Sequence, residues 1–596
     1  MTELFSFSFP QENICSEQNM YVRFSENNAT LCGNSIVFKT DGQANFNTYF
    51  NALAYRKYKT YCAWDRLFIN LDFCGTFWAE VFGVSVDGSQ NTSLIRKKIS
   101  SKERTTVSIE IPTGDFDMLY FSLTAETDSQ FFGGSYAVQS AEQPHRISIA
   151  VVICTYKREK YILRNLRSIH QFLETNTQLS KDSFHFYVID NGHTLSADIV
   201  ENSFVSLFQN KNCGGSAGFT RGLMEAAHSG LNHTHVLFMD DDVLLDCSVF
   251  SKLHTLLSLL RKDQTHLTIG GSMIKLSDKV TQHEAGAFWD GKRIENLGRG
   301  LKLTEWNDVL AIESLPAPNY NAWWFCCYTM DCLERIGCPL PLFIKTDDIE
   351  YGLRNKSPIL IMNGLSVWHE DFEGKYDGFV EYYVKRNELI LSAVQDDKSY
   401  MGFQIVKLIK SVGKQIVFQR YFIADLIFKA YNDFLQGADF LLHTDGEKLN
   451  KALMQACPPM KTAEELIQEG VEFHEDEYCQ SLLRIASKPI QALTLNGYLL
   501  PQCFYRTKKH ECYTVDAAQC IPTNCFLRKR LLHWDMTKNK GYVTCQKRSA
   551  LFKYGFKIIG MSFKILFKYK KAVRSYREHK QELTSETFWR YYLDLE

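Results

Sequence analysis

Two kinds of hydrophobic pattern follow one another along this chain. Up to about Gln143, short apolar runs partly alternate with polar residues. Leu67-Phe68-Ile69-Asn70-Leu71-Asp72-Phe73 and Phe77-Trp78-Ala79-Glu80-Val81-Phe82 stand on either side of Gly75. Thr106-Val107-Ser108-Ile109-Glu110-Ile111 and Leu119-Tyr120-Phe121-Ser122-Leu123 continue the pattern. Short strands with turn residues between them predict a β-sandwich over residues 1–145. Carbohydrate binding and simple packing or oligomerisation are both open to such a module, because a fold does not fix a function.

At Ile147 the pattern becomes one of continuous apolar runs, which read as strands buried on both faces. Ile147-Ser148-Ile149-Ala150-Val151-Val152-Ile153-Cys154 leads into a helical stretch over residues 161–173. Phe184-His185-Phe186-Tyr187-Val188-Ile189 ends at Asp190-Asn191-Gly192, and a glycine-rich loop over residues 212–222 opens a helix through Ala227. Val236-Leu237-Phe238-Met239 runs straight into Asp240-Asp241-Asp242. Alternating strand and helix predict a parallel, doubly wound, Rossmann-like sheet over residues 146–400. From Met401 onward apolar residues recur at three- and four-residue intervals, through Ile405, Leu408, Ile409, Val412 and Ile416 and again over residues 421–442. The fold class is therefore a multi-domain α/β chain: β-sandwich, central α/β domain, and a helical C-terminal domain over residues 401–596.

Length and composition change this picture little. With 596 residues the chain exceeds one core, at roughly 100–200 residues per domain. It is 45% hydrophobic and 23% charged, and a formal net charge of -1 gives no electrostatic case for nucleic acid. The N-terminus lacks the basic-then-apolar order of a signal peptide. The 18 cysteines include no Cys-x-x-Cys pair, which points to a reducing cytoplasm. Cys503, Cys512, Cys520 and Cys525 are the best zinc candidates, at a spacing that fits no common structural site.

The chemistry gathers on two acidic clusters. In open α/β sheets ligands bind beyond the carboxyl ends of strands, where Asp240, Asp241 and Asp242 should stand. Asp240 and Asp242, one residue apart, can share a hard divalent cation; an acidic turn in water is the plain alternative. The second cluster, Asp347-Asp348-Ile349-Glu350, also follows an apolar run and offers a carboxylate as general base. His369 reads as a metal ligand or a core histidine. Trp323 and Trp324 read as core or as faces that stack on sugar rings. Arg221 offers a fork to phosphate, and the glycines beside it admit close backbone approach to a ligand. Finally, residues 547–580 carry eleven Lys and Arg against one acid, with Phe552, Phe556, Ile559, Phe563, Leu566 and Phe567 at helical spacing. Such a helix suits an anionic membrane surface, or packs as a solvated helix on its own protein.

The middle of the chain resembles family 2 glycosyltransferases of GT-A fold, and more narrowly the bacterial galactofuranosyltransferases, a group that includes the mycobacterial galactan polymerase. The resemblance rests on Cys154-Thr155-Tyr156-Lys157-Arg158, the 212–222 loop, Asp240-Asp241-Asp242, Trp323-Trp324-Phe325-Cys326, residues 341–354 and Trp368-His369. It implies that Thr155, Arg158 and Asp190, with Asn212, Gly215 and Asp241, hold the nucleotide. It implies that Asp240, Asp242 and His369 hold Mn2+ or Mg2+. Asp348 would deprotonate the acceptor, with Asp347 beside it. Trp323, Trp324, Arg221 and, less directly, His283 and Glu284 would meet the substrates. Glu350 departs from the polymerase, which has a shorter acid there, and the loop after His369 differs too.

The implied reaction is inverting, metal-dependent transfer of galactofuranose from UDP-galactofuranose to a cell-surface glycan, with a lipid-linked glycan as one candidate acceptor. The same fold acting on another nucleotide sugar, and a non-enzymatic glycan-binding scaffold, are the competing readings. The implied setting is the cytoplasm, peripheral at the inner membrane face, with a homo-oligomer open and no nucleic acid partner.

Overall fold

A computed structural model describes residues 1–25, 28–177, 179–371, 377–395, 401–472, 488–505 and 512–595. Contacts divide the chain into two compact units. The first holds residues 1–211, 217–338 and 351–370, and the second holds 212–216, 339–350 and 371–596.

Within the first unit, the N-terminal residues form nine hydrogen-bonded strands. The stretches 67–73 and 77–82 are not two strands but one, Arg66–Val84, with a register shift between Phe73 and Gly75. Gly75 takes φ 106°, and a Cβ there would lie 2.1 Å from the Ser129 hydroxyl. This bulge lets a single strand pair with Ser129–Gln139 along its first half and with Met118–Ala125 along its second. Asn91–Ile111 runs beside it throughout. Phe121 meets Phe131 and Tyr136 at ring-centroid distances of 6.2 and 6.4 Å, so the two halves of the sheet close on one aromatic core.

The second sheet of this unit has eight strands and is mixed rather than wholly parallel. Val205–Gln209, Phe184–Asp190, Ile149–Thr155 and His235–Asp240 lie parallel, as the apolar runs predict. Phe325–Thr329 then pairs antiparallel with His235–Asp240, and Thr268–Lys275 pairs antiparallel with Phe325–Thr329. The helix Glu159–Thr175 agrees with the periodicity. The glycine-rich segment does not form a loop as expected: most of it is already the helix Gly214–His228. Gly218 and Gly222 bring that helix onto the sheet, since a Cβ at either would lie 2.1 Å from Cys154 Sγ or 2.2 Å from Val152 Cγ1. Both sheets contribute to one apolar core that runs from Leu4 to Val367.

The second unit is mainly helical. Val380–Gln395, Met401–Val417, Tyr421–Phe434 and Arg548–Glu578 are its longest helices. The single helix read over 421–442 is broken by Gly437 at φ 81°, after which Ala438–His443 follows. The helical expectation also omits a three-stranded sheet of Tyr513–Asp516, Arg530–Asp535 and Lys540–Cys545. Cys520 and Cys525 lie 3.3 Å apart at Sγ and are buried with Phe418 and Leu531, while Cys503 is exposed. The four cysteines therefore form no common site.

Two glycines test this packing with opposite signs. Gly218→Ala should overpack the helix against Cys154 and cost about 1–3 kcal/mol. Gly413→Ala, in a helix with open space around it, should add stability by up to about 1 kcal/mol. Calorimetric unfolding of the two variants beside the parent checks the pair of signs.

Candidate functional site

Strand register brings the first acidic cluster into place. Thr155 lies opposite Asp190, and Cys154 opposite Asp240, so three parallel strands end along one edge. Two successive antiparallel pairings restore strand direction, and Ile359–His369 lies parallel to Thr268–Lys275 with His369 opposite Lys275. His369 thus ends its strand on the same edge as Asp240, where α/β sheets place their ligands.

There His369 Nε2 lies 3.1 Å from Asp242 Oδ1 and 3.5 Å from Asp240 Oδ2. Its Nδ1 is 2.7 Å from the carbonyl oxygen of Glu370, which can only accept, so Nδ1 carries the proton. The Nε2 lone pair of the neutral ring consequently faces two carboxylates, and that arrangement calls for a cation. The three side chains offer one ligand atom each, all within 4.8 Å of one another; among the described residues this is the one such grouping of possible metal ligands. Two carboxylate oxygens and an imidazole nitrogen suit a divalent ion of the Mn2+ or Mg2+ class. Without the ion a proton does the same service. Burial opposes the charged ring, but hydrogen bonds and charges from Asp240 and Asp242 prevail and lift the His369 pKa to about 10. Burial works against ionised Asp242 too, and His369 and Arg158 together hold its carboxyl well below the usual carboxylate range.

Asp241 has a different environment. Burial pushes its carboxyl up to about 7, against a 2.6 Å hydrogen bond donated by Thr155 Oγ1. Arg158 bonds Asp242 directly and lies 3.6 Å from Asp241. Asp190 accepts from the backbone N–H groups of Gly192, Thr194 and Leu195 at 2.8, 2.6 and 2.8 Å, so its carboxylate shapes the loop that follows it.

The backbone that carries the three aspartates is held from outside. Leu244 and Trp368 exchange two backbone hydrogen bonds of 2.7 and 2.8 Å, tying the segment after the acids to the strand that ends at His369. Asn165, buried on the helix Glu159–Thr175, donates through Nδ2 to the carbonyls of Asp241 and Val243 at 3.0 and 2.9 Å. Arg164 adds a 2.7 Å bond to the Val243 carbonyl. The Trp368 ring is fully buried, 5.7 Å from Phe50 of the N-terminal region. Sequence reasoning passed over Asn165, Arg164 and Phe50; only the apolar-then-acid pattern marked the place they support.

The second cluster, in the second unit, opens the helix Asp347–Asn355. Asp347 is buried and Asp348 is the more exposed of the two. Burial, and then the neighbouring charge of Asp348, push the Asp347 carboxyl up to about 8. The loop before them is strained: Phe343, Lys345 and Thr346 take φ of 73, 66 and 76°. Such conformations cost about 1–3 kcal/mol each for side-chain-bearing residues. Asn387, fully buried, offsets this by reaching the carbonyls of Leu342, Ile344 and Lys345 at 3.0, 2.9 and 2.8 Å. Arg386 Nε donates to Asn387 Oδ1 at 2.9 Å, which turns the amide N–H groups toward those carbonyls. Gly214, at φ 85°, packs its backbone against Phe343; a Cβ there would lie 2.1 Å from the Phe343 carbonyl oxygen. Asn212 accepts from the Gly214 N–H at 3.3 Å. The space at Gly215 is open, and a Cβ there would lie 3.9 Å from Asp347 Oδ2.

The other sequence candidates have surroundings of their own. Trp323 and Trp324 are core residues. Their indole N–H groups donate to Tyr328 Oη at 3.2 Å and to the Gly271 carbonyl at 2.9 Å, and Trp323 packs on Phe219 and Phe238. Of the two expected readings, core or sugar-stacking faces, their burial fits the core. His283 and Glu284 are buried on the short strand Gln282–Glu284. Arg221 bonds Glu225 one turn along its own helix at 2.6 Å and lies over the Phe208 ring, so the fork expected for phosphate is engaged elsewhere.

Known proteins resemble this chain in sequence. The family described as "Glycosyltransferase like family 2" matches residues 144–375. The galactofuranosyltransferase GlfT2 of Mycolicibacterium smegmatis is 25% identical over 440 residues, covering 68% of this chain and 66% of its own length. GlfT2 of Mycobacterium tuberculosis is 25% identical over 439 residues, covering 68% and 67%. The chain thus spans about two thirds of the length of these relatives. Among solved structures, the mannosyltransferase PcManGT of Pyrobaculum calidifontis, in complex with GDP-Man and Mn2+, is a distant likeness. It is 12% identical and covers 53% of this chain and 88% of that one, with a TM-score of 0.28. Residues 144–375 are thus a family 2-like glycosyltransferase domain, and about two thirds of the chain is similar to the galactofuranosyltransferases.

Proposed function

We propose that this protein transfers galactofuranose from UDP-galactofuranose to a hydroxyl of a cell-surface glycan, by direct displacement with inversion at the sugar carbon. The observation that carries the reading is the triad of Asp240, Asp242 and His369 at the carboxyl edge of the sheet, inside the matched domain. When bound there, Mn2+ or Mg2+ supplies Lewis-acid stabilisation of the departing nucleotide diphosphate.

The chain's own residues do the rest. Asp240 and Asp242 supply oxygen ligands, and the Nδ1 bond to Glu370 aims His369 Nε2. Arg158, on the same acids, keeps their negative charge from accumulating before the nucleotide arrives. Asp348 takes the proton from the acceptor hydroxyl, which is too weak a nucleophile to attack unaided. Its exposure, and the raised pKa that keeps Asp347 uncharged beside it, fit that division of roles. With one base and no nucleophilic partner assigned, a single displacement follows, and an α-linked donor gives a β-linked product. A lipid-linked glycan is the acceptor we favour. The second reading, another nucleotide sugar on the same scaffold, is favoured by the buried state of Trp323 and Trp324, which leaves sugar choice to other residues. Turnover across a panel of nucleotide sugars decides between them: UDP-galactofuranose should exceed every pyranose donor, and a pyranose preference would remove the galactofuranose assignment.

Three variants check the roles. Asp242→Asn and His369→Ala should each weaken Mn2+-dependent UDP binding, read by calorimetry, by at least the roughly 10–100-fold that outer-shell changes cost at metal sites. Asp348→Asn should cut transfer about 10²–10⁴-fold while UDP binds as before; equal loss of both would refute its role as base. Asn387→Ala should release the strained loop and lower kcat about 100-fold with UDP affinity retained, and an unchanged kcat would deny it a positioning role.

A further inference from the structure

The helix Ser248–Ser258 buries an apolar face through Val249, Phe250, Leu253, Leu256 and Leu257. Beside that face, Ser248, Ser251, Lys252 and Thr255 fall at i, i+3, i+4 and i+7 and share one stripe. A lysine on such a stripe normally carries its ammonium out to water. Lys252 does not, being only 5% exposed.

Its ammonium lies 5.0 Å from the centre of the Phe5 ring and 5.5 Å from that of Phe50. Such rings attract a cation, yet they leave its three N–H donors without a lone pair to meet. Among the described residues Lys252 forms no hydrogen bond and no ion pair. Asp246 attracts it from farther off, but that carboxylate accepts from the Ser248 N–H at 2.9 Å and from Gln11 Nε2 at 3.3 Å. Burial outweighs the attraction and pushes the ammonium down to about 8, so it is still mainly charged at neutral pH. A buried charge is costly until something pairs with it.

The polar stripe is one wall of a cleft of about 300 Å3. The end of the helix Glu159–Thr175, with Asn176 and Thr177, is the second wall, and the strand Thr2–Ser6 is the third. Asn176 Nδ2 donates to Ser251 Oγ at 3.0 Å and joins the first two walls. In the strand a register shift between Glu3 and Phe5 lets Leu4 and Phe5 both turn inward, while Glu3 and Ser6 stay more exposed and bond one another. The lining thus offers six hydroxyls, one amide, one carboxylate and the Lys252 side chain. Lys252 also borders a cavity of about 10 Å3 beside Asn363, so packing does not lock its end in place.

We infer that this cleft binds an anionic monosaccharide, a sugar-sized polyol carrying one phosphate or carboxylate group. Lys252 pairs with the anionic group, the Ser and Thr hydroxyls and Asn176 bond the polyol, and Glu3 accepts from one of its hydroxyls. The volume lies at the lower end of the roughly 300–1,000 Å3 of small-molecule sites, which suits a single sugar rather than a chain. The inference goes beyond the transfer reaction and does not depend on the donor assignment.

Titration calorimetry of the full chain in EDTA tests it, because the chelator keeps divalent ions off Asp240, Asp242 and His369. Glucose 1-phosphate or glucuronate should bind, and the tighter of the two identifies the anionic group. Neutral glucose and inorganic phosphate should each bind at least about tenfold more weakly than that sugar. Lys252→Met keeps the stem and removes the charge; it should weaken binding roughly 10–100-fold. Since it also removes a buried charge, its thermal midpoint without ligand should equal or exceed the parent's. Ser251→Leu, which fills the wall, should weaken binding about fivefold or more and decides the matter alone should Lys252→Met not fold. The inference is overturned if neither anion binds the parent, if glucose binds as well as the anions, or if either folded variant keeps the parent's affinity.

Discussion

The two backbone hydrogen bonds between Leu244 and Trp368 set the spacing on which the candidate metal site depends. Asp240 and Asp242 follow one strand and His369 ends another, with two further strands between them in the sheet order. Sheet pairing alone would leave these ends several strand spacings apart. The chain therefore crosses over the sheet edge after Asp242 and pairs at Leu244 with the far strand, which brings Asp242 Oδ1 to 3.1 Å from His369 Nε2. Trp368 is held in turn by its indole bond to the Lys279 carbonyl at 3.0 Å and by packing near Phe50. Asn363, on the same strand, bonds the carbonyls of Tyr49 and Ala52 at 3.1 and 2.9 Å. The N-terminal region thus shares more than a core with the glycosyltransferase domain: its turn at residues 49–52 braces the strand that delivers the histidine.

The two acidic clusters use the same device. In each, a fully or nearly buried asparagine on a helix spends its amide N–H groups on the carbonyls of the acid-bearing loop. Asn165 does so beside Asp241, and Asn387 does so before Asp347. A backbone carbonyl in a tight, irregular loop has no ladder partner, and leaving it buried and unpaired costs about 1–3 kcal/mol. A single amide reaching several carbonyls removes that cost and fixes the loop in one conformation. In the second cluster it also sustains three residues at positive φ, which the local chain would not hold unaided.

Much of the scaffold was legible in the sequence, for a definite reason. A continuous apolar run ending in polar residues marks both a buried strand and its carboxyl end, and in an α/β sheet that end is where chemistry sits. Ile149–Thr155, Phe184–Asp190 and His235–Asp240 were read this way, and Asp240 and Asp242 with them, whereas His369 stayed open between core and ligand until the family resemblance placed it beside them. What escaped was set by contacts distant along the chain. A tryptophan pair in an apolar stretch looks the same whether its rings meet sugar or Phe219 and Phe238. The glycine row read as a ligand loop because close approach to a helix-packing strand, or to Phe343, leaves the same residue pattern as close approach to a phosphate. The joined strand at Gly75 was hidden because a bulge and a turn both ask for glycine.

The three consecutive aspartates show why residue type alone could not assign roles. Asp242 is held ionised by His369 and Arg158, whereas Asp241, one position earlier, is driven toward its neutral form by burial and bonds Thr155. The turn that follows the strand at Asp240 accounts for the split: Asp240 and Asp242 reach His369, while Asp241 reaches Thr155. Neighbouring carboxylates on one face would repel in the absence of a cation, so a third charge there would raise the cost of an empty site. Turning the middle acid away, and letting it take a proton, leaves two charges opposite one imidazole and one guanidinium. With that balance Asp240, Asp242 and His369 would hold a divalent ion without requiring the buried Asp241 to ionise.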